Sequence, residues 1–92
     1  MTEETDLKLA VKQYLDLKGI FNYHLLQGLG AYKGLPDRVM HVNLVVVYLE
    51  IKKPKGKLSP HQEAFQAQCI EDNIYYIVIR SLDDLIDFLE AK

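Results

Sequence analysis

Apolar side chains near the start of the chain recur with the spacing of an amphipathic helix. Within residues 5–18 the recurring apolar positions are Leu7, Ala10, Val11, Tyr14 and Leu15. Residues three and four apart lie on the same face of an α-helix, so this segment predicts a helix with one buried face. Gly19 is a helix stop, and either Thr2 or Thr5 is a candidate for the N-terminal cap.

The middle of the chain contains runs of apolar residues, many of them β-branched, and one glycine-rich segment between the first two runs. Three strands are predicted here, over residues 20–26, 38–42 and 44–52. Residues 27–35 contain three glycines and predict a loop, and a turn is expected at residues 41–43. The apolar run over residues 44–49 is unbroken, which is typical of a strand covered on both faces.

Two helix starts and one further strand are predicted in the second half of the chain. Ser59 precedes Pro60 and Gln62 in a capping-box pattern, so a helix is expected from there to about residue 72. Phe65 and Cys69 are expected to face inward on that helix, and residues 75–79 predict a strand. A second capping pattern at residue 81 opens a last helix, whose predicted buried face is Leu82, Leu85, Ile86 and Leu89.

These elements follow the order α-β-β-β-α-β-α, which predicts an α/β (α+β) fold with a mixed sheet flanked by helices. The 92 residues predict one domain, residues 1–92. The chain has a single cysteine, an acidic start and no apolar run of the roughly 20 residues that a membrane span needs. We therefore expect a cytoplasmic protein.

Charge is distributed unevenly along a chain whose net charge is only −2. Residues 71–92 carry six acidic side chains against two basic ones, while residues 52–57 contain four lysines. A local positive potential attracts a polyanion whatever the net charge, so the lysine-rich stretch is a candidate nucleic-acid contact. An ordinary solvated turn explains the same lysines.

The candidate chemistry lies where the longest apolar strand ends. Glu50 and Lys52 lie on one face of that strand and Ile51 on the other, because strand side chains alternate. Charged groups at the end of a buried strand cost solvation free energy unless something compensates. Asp37, which follows Pro36, supplies a second carboxylate, and two such oxygen donors beside a lysine suit Mg²⁺ and phosphate chemistry. A metal-dependent nuclease is the first hypothesis.

The same residues resemble the PD-(D/E)xK nuclease superfamily, and within it the virus-type replication-repair nuclease (VRR-NUC) domain. The motifs that carry the resemblance are Gly34-Leu35-Pro36-Asp37, Tyr48-Leu49-Glu50-Ile51-Lys52 and Gly56-Lys57-Leu58-Ser59-Pro60-His61-Gln62. Glu4 best fits the acid that the family carries in its first helix, and Glu3 is the alternative. The resemblance covers nearly the whole chain and implies a restriction-endonuclease-like core.

The resemblance implies a role for each of these side chains. Asp37 and Glu50, from neighbouring strands, together with the carbonyl of Ile51, would bind Mg²⁺, for which Mn²⁺ can substitute. Lys52 would position the attacking water or stabilise the anionic transition state. Gln62 would reach the site, although capping its own helix is an adequate role and one side chain is not expected to do both. Without Asp37, a surface ion pair worth about 0–1 kcal/mol would be the favoured explanation of Glu50 and Lys52.

The substrate and the assembly are further expectations. Stand-alone members that this chain resembles are phage-type proteins similar to Holliday-junction resolvases, which implies a homodimer acting on branched DNA. If the chain is phage-encoded, the expected location is the host cytoplasm. The predicted DNA contacts are Lys33, Lys53, Lys55 and Lys57. The alternatives are a non-catalytic DNA-binding module that keeps the nuclease fold and a structural subunit that contacts a partner through its acidic last helix.

Overall fold

The computed structural model describes residues 2–91, which form a four-stranded sheet between helices. The elements are α1 (Glu3–Leu17), β1 (Phe21–His24), β2 (Arg38–Val42), β3 (Val45–Ile51), α2 (Pro60–Glu71), β4 (Tyr75–Ile79) and α3 (Leu82–Glu90). The sheet order is β1-β2-β3-β4, with β1, β2 and β3 antiparallel and β4 parallel to β3. The predicted element order and the mixed sheet are confirmed.

Element boundaries follow local signals closely, but several differ from the prediction; β3, for example, is one residue shorter at each end than residues 44–52. Strands β2 and β4 span the predicted residues, whereas β1 is limited to Phe21–His24. Helix α1 begins two residues earlier than predicted because Thr2, rather than Thr5, accepts the capping hydrogen bond. The turn between β2 and β3 lies at Asn43 and Leu44, both with left-handed φ angles, so its predicted position at residues 41–43 is wrong.

The main core lies on the sheet face that α1 and α3 cover. Its buried members are Val11, Leu15, Met40, Val47, Leu49, Ile51, Ile79 and Leu85. Helix α2 packs on the opposite face, where the Phe65 ring contacts Tyr48 and Tyr76 at centroid distances of 5.3 and 6.1 Å. Each helix within residues 2–91 is too short or too polar to cross a lipid bilayer.

The start of β3 is more open than its sequence predicts. Leu44 is fully exposed in the turn, and Val45 and Val46 are 39% and 44% exposed. The prediction that the whole run is covered on both faces is therefore wrong for its first three residues. Helix α2 covers β3 around Tyr48, so burial on both faces is reached only towards Glu50.

Gly34 is the point at which the glycine-rich loop meets the start of α2. A Cβ atom at this position would collide with the carbonyl group of His61, and φ is +89°. We expect Gly34→Ala to lower the free energy of unfolding by at least about 2 kcal/mol, because it combines a backbone clash with a left-handed conformation. Gly30→Ala is the matched control, since its φ is +76° but its surroundings are open. Equal losses for both variants in urea unfolding would contradict the close approach.

Candidate active site

Glu50 and Lys52 emerge on the side of the sheet that faces α2, while Ile51 points into the main core. The carboxylate of Glu50 is almost completely buried, with 1% of the residue exposed. Its Oε2 atom lies 3.9 Å from Nζ of Lys52, whose side chain is 16% exposed. The predicted alternation along β3 therefore places an acid and an amine side by side in a poorly hydrated position.

Asp37 is joined to β3 by both its backbone and its side chain. Its N–H donates to the carbonyl of Leu49 at 3.0 Å, and its Oδ2 accepts the N–H of Ile51 at 2.7 Å. These two bonds hold the carboxylate beside the end of β3, although Asp37 itself precedes β2 rather than lying within it. The same bonds bring the Asp37 carboxylate near enough to Glu50 to contribute to the raised pKa of that side chain.

Gln62 both caps α2 and contacts Glu50. Its Oε1 accepts the N–H of Ser59 at 2.8 Å, and the Ser59 hydroxyl accepts the N–H of Gln62 at 3.2 Å. Its Nε2 donates to Oε2 of Glu50 at 3.2 Å. The expectation that one side chain would not do both is wrong, because the amide oxygen and nitrogen serve separate partners.

One oxygen of Glu50 is left without a hydrogen-bond partner. Within residues 2–91, the buried polar side-chain atoms that lack a partner are Oε1 of Glu50 and the Tyr76 hydroxyl. Burial, followed by the nearby Asp37 carboxylate, raises the pKa of Glu50 from 4.5 to about 8. Burial and the proximity of Glu50 likewise raise the pKa of Tyr76. A buried carboxylate with a free oxygen suits a cation.

The side chains of the cleft supply too few oxygen ligands for a divalent ion, so a backbone carbonyl would have to supply another. No group of three or more His, Cys, Asp or Glu side chains that could hold a metal occurs in the part of the chain that the structure describes. Asp37 and Glu50 supply two hard oxygen donors, and Ile51 lines the same cleft. The Ile51 carbonyl stays a prediction as the third protein ligand.

The predicted catalytic residues lie around one open cleft of about 500 Å³. Its lining includes Glu4, Asp37, Glu50, Lys52 and Gln62. Glu3 instead borders a separate depression beside Lys53 and Lys55. Of the two acids left open by the sequence, Glu4 is therefore the one that faces the cleft.

The predicted DNA-binding lysines lie outside this cleft, in two places. Lys33 borders a neighbouring groove, which shares Gln62 with the cleft. Lys53 and Lys55 lie in the turn after β3, and Lys57 is exposed just beyond it. Their role in binding DNA stays a prediction.

A comparison with solved structures identifies the architecture. A structure described as "VRR_NUC domain" superposes with a TM-score of 0.83 over 98% of this chain and 97% of that chain, at 20% sequence identity. The chain has the VRR_NUC fold. A scan against models of protein families and a search of curated proteins found no match.

On this VRR_NUC fold, the cleft contains residues that the sequence did not single out. They include Lys8, Arg38, His24 and Gln27. Lys8 lies one turn after Glu4 on α1, so the spacing of four residues was an available signal. Arg38 gave no such signal, because its burial and its 2.8 Å hydrogen bond to Asn22 depend on the pairing of β1 with β2.

The raised pKa of Glu50 predicts a pH-dependent stability in the absence of metal. The unfolded chain releases the Glu50 proton near pH 4.5, whereas the folded protein retains it up to about pH 8. The stabilisation is complete below pH 4.5 and is lost as the pH rises to 8, with a slope of at most about 1.4 kcal/mol per pH unit. Urea unfolding across this range should show a shallower decline for Glu50→Gln than for the unmodified protein. Identical pH profiles would contradict a shifted Glu50.

Proposed function

We propose that the protein is a metal-dependent endonuclease that hydrolyses phosphodiester bonds in branched DNA. The observation that carries this proposal is the buried Glu50 carboxylate beside Asp37. Its Oε1 has no partner, while its Oε2 faces Lys52 and Gln62. Even with Lys52 at 3.9 Å, burial and Asp37 raise the pKa of Glu50 to about 8, so a divalent cation would favour its ionised form. The VRR_NUC fold supports the nuclease class, because the acids and the lysine occupy one cleft on it.

Asp37, Glu50 and the carbonyl of Ile51 would hold Mg²⁺, or Mn²⁺ in its place. Such an ion, when bound, neutralises charge on the scissile phosphate and lowers the pKa of a water molecule. Its presence would also favour the ionised form of Glu50, whose pKa is raised to about 8 without it. Ionised carboxylates and a hard divalent ion are chemically matched.

The side chains of the cleft would divide the remaining tasks. The Ile51 N–H keeps Asp37 in one orientation, and the Gln62 amide does the same for Glu50. Lys52, half-buried beside Glu50, would orient the attacking water or stabilise negative charge on the phosphate. Glu4 borders the same cleft from α1 and would contribute negative charge at its edge.

A homodimer that resembles Holliday-junction resolvases is the proposed working form. Each chain presents one such cleft, and one cleft cuts one strand. Symmetric cutting of a four-way junction requires two clefts, which a twofold dimer supplies. Light scattering at micromolar concentration tests this part, and a monomer with undiminished junction cleavage would contradict it.

The turn after β3 is the proposed source of salt-sensitive DNA affinity. Its backbone is held by a 2.9 Å hydrogen bond from Gly56 to Lys53 and by a 2.9 Å bond from Arg80 to Gly56. We expect the Lys55→Ala, Lys57→Ala double variant to weaken junction binding and to reduce the salt slope by about 1–2. Lys12→Ala, on the exposed surface of α1, is the matched control. Unchanged affinity and slope in the double variant would contradict the assignment.

Cleavage assays test the proposed function directly. Purified protein is incubated with supercoiled plasmid and with a synthetic four-way junction, with and without Mg²⁺ or Mn²⁺. We expect metal-dependent cutting of the junction that exceeds the cutting of the plasmid. Binding without any metal-dependent cutting would contradict the enzyme and favour a non-catalytic binding subunit.

A further inference from the structure

Lys8 makes an ionic contact with two carboxylates that belong to different parts of the fold. Its Nζ lies 3.4 Å from Oε2 of Glu4 and 3.4 Å from Oδ1 of Asp37. Glu4 is on the same helix, whereas Asp37 is held beside the end of β3. The ammonium group therefore links α1 to the proposed metal ligands.

An exposed pair on the same helix shows how this contact differs from ordinary helix-surface pairing. Lys12 pairs with Asp16 across the same four-residue spacing, at 2.7 Å, and both side chains are about half exposed. The Asp37 side chain that Lys8 contacts is only 17% exposed. Lys8 is thus directed into the cleft, and Lys12 is not.

The two oxygens of Asp37 have different partners. Oδ2 accepts the Ile51 N–H, whereas Oδ1 faces the Lys8 ammonium. The position between Oδ1 and Glu4 therefore already contains a positive charge that the chain itself supplies. The free oxygen of Glu50 is a separate feature, and Lys8 makes no ion pair with Glu50.

The charges of the cleft favour one divalent ion per chain. Glu4, Asp37 and Glu50 carry three negative charges when ionised, and Lys8, Arg38 and Lys52 carry three positive charges. With one divalent ion and one phosphodiester bound, these groups would carry a net charge of only +1. A second divalent ion beside the same cationic side chains would raise this excess to three positive charges in a partly buried cleft, which is unfavourable.

We propose that the ammonium group of Lys8 occupies the place between Glu4 and Asp37 that a second divalent ion would otherwise take. Each chain then binds one divalent ion, at Asp37 and Glu50. Lys8 acts in this scheme as a positioning residue that limits metal stoichiometry. The inference rests on the proposed function, because it assumes that Asp37 and Glu50 bind a metal.

Manganese titration in the absence of DNA tests the inference without measuring activity. The full chain is titrated with Mn²⁺, and free Mn²⁺ is followed by electron paramagnetic resonance to obtain stoichiometry and Kd. We expect one Mn²⁺ per chain for the unmodified protein and two for Lys8→Met. Lys12→Met is the matched control and should bind one. Methionine is a good helix former, so the Lys8 variant should keep α1 intact.

The outcomes separate this inference from the proposed function. The role of Lys8 would be overturned if the unmodified protein bound two Mn²⁺ ions. It would also be overturned if Lys8→Met bound only one ion at free Mn²⁺ concentrations up to about a hundredfold above the first Kd. A Lys8→Met variant that only loses DNA affinity would also overturn it, since Lys8 would then be a phosphate contact. The Glu50→Gln variant tests the metal site of the proposed function. That site would be contradicted if the unmodified protein bound no Mn²⁺, or if Glu50→Gln left Mn²⁺ binding unchanged.

Discussion

Replacing Glu50 with glutamine is expected to reduce four-way junction cleavage by at least about 100-fold. The substitution keeps the size of the side chain but removes the negative charge that would bind the divalent ion. It also replaces one carboxylate oxygen with an amide nitrogen, which cannot serve as a ligand for Mg²⁺. The measurement is single-turnover cleavage of a labelled junction at saturating protein and Mg²⁺.

Glu63→Gln is the matched control for this loss. Glu63 is an exposed acid in the first turn of α2 and does not line the cleft. We expect this variant to cleave at the rate of the unmodified protein. Cleavage that survives Glu50→Gln would show either that Glu50 is not part of the site or that a contaminating nuclease is responsible. Repeated purification of both variants separates these two cases.

Lys52→Met is expected to reduce the single-turnover rate by about 100-fold or more while Mn²⁺ binding is retained. The ammonium group lies beside Glu50, but it is not a metal ligand, so its loss should affect the chemical step more than the metal. Methionine preserves most of the apolar stem that packs at the end of β3. Cleavage rates and manganese titrations on the same preparation distinguish the two effects.

Lys53→Met provides the comparison for Lys52. The two lysines are adjacent in sequence, but Lys53 is exposed and lies outside the cleft. At saturating protein any weakening of DNA binding is masked, so the Lys53 variant should retain the normal rate. Equal rate losses in both variants would contradict a specific role for Lys52 and indicate a general dependence on positive charge.

Much of the fold followed from signals that are local in the sequence. The cap residues Ser59 and Ser81 fixed the starts of α2 and α3, because a side-chain oxygen satisfies the free N–H groups of a first helical turn. Strand β4 was defined by its β-branched and aromatic residues between Asn73 and Arg80. The pairing of Glu50 with Lys52 followed from strand alternation alone.

The features that differed from expectation depend on tertiary packing. The exposure of Val45 and Val46 reflects where α2 crosses the sheet, which no local pattern specifies. The choice of Glu4 over Glu3 depends on how α1 is rotated against the sheet. The second contact of Gln62 required α2 to begin within reach of Glu50, and the loop around Gly34 sets that approach.

Anomalous scattering from a manganese-soaked crystal is the most direct measurement of the central claim. Data collected near the manganese absorption edge locate the ion independently of any activity. We predict one strong anomalous peak per chain, bounded by carboxylate oxygens of Asp37 and Glu50, with the Lys52 amine close by. Manganese bound only elsewhere on the surface, with Glu50 still buried and unligated, would contradict the proposed metal centre.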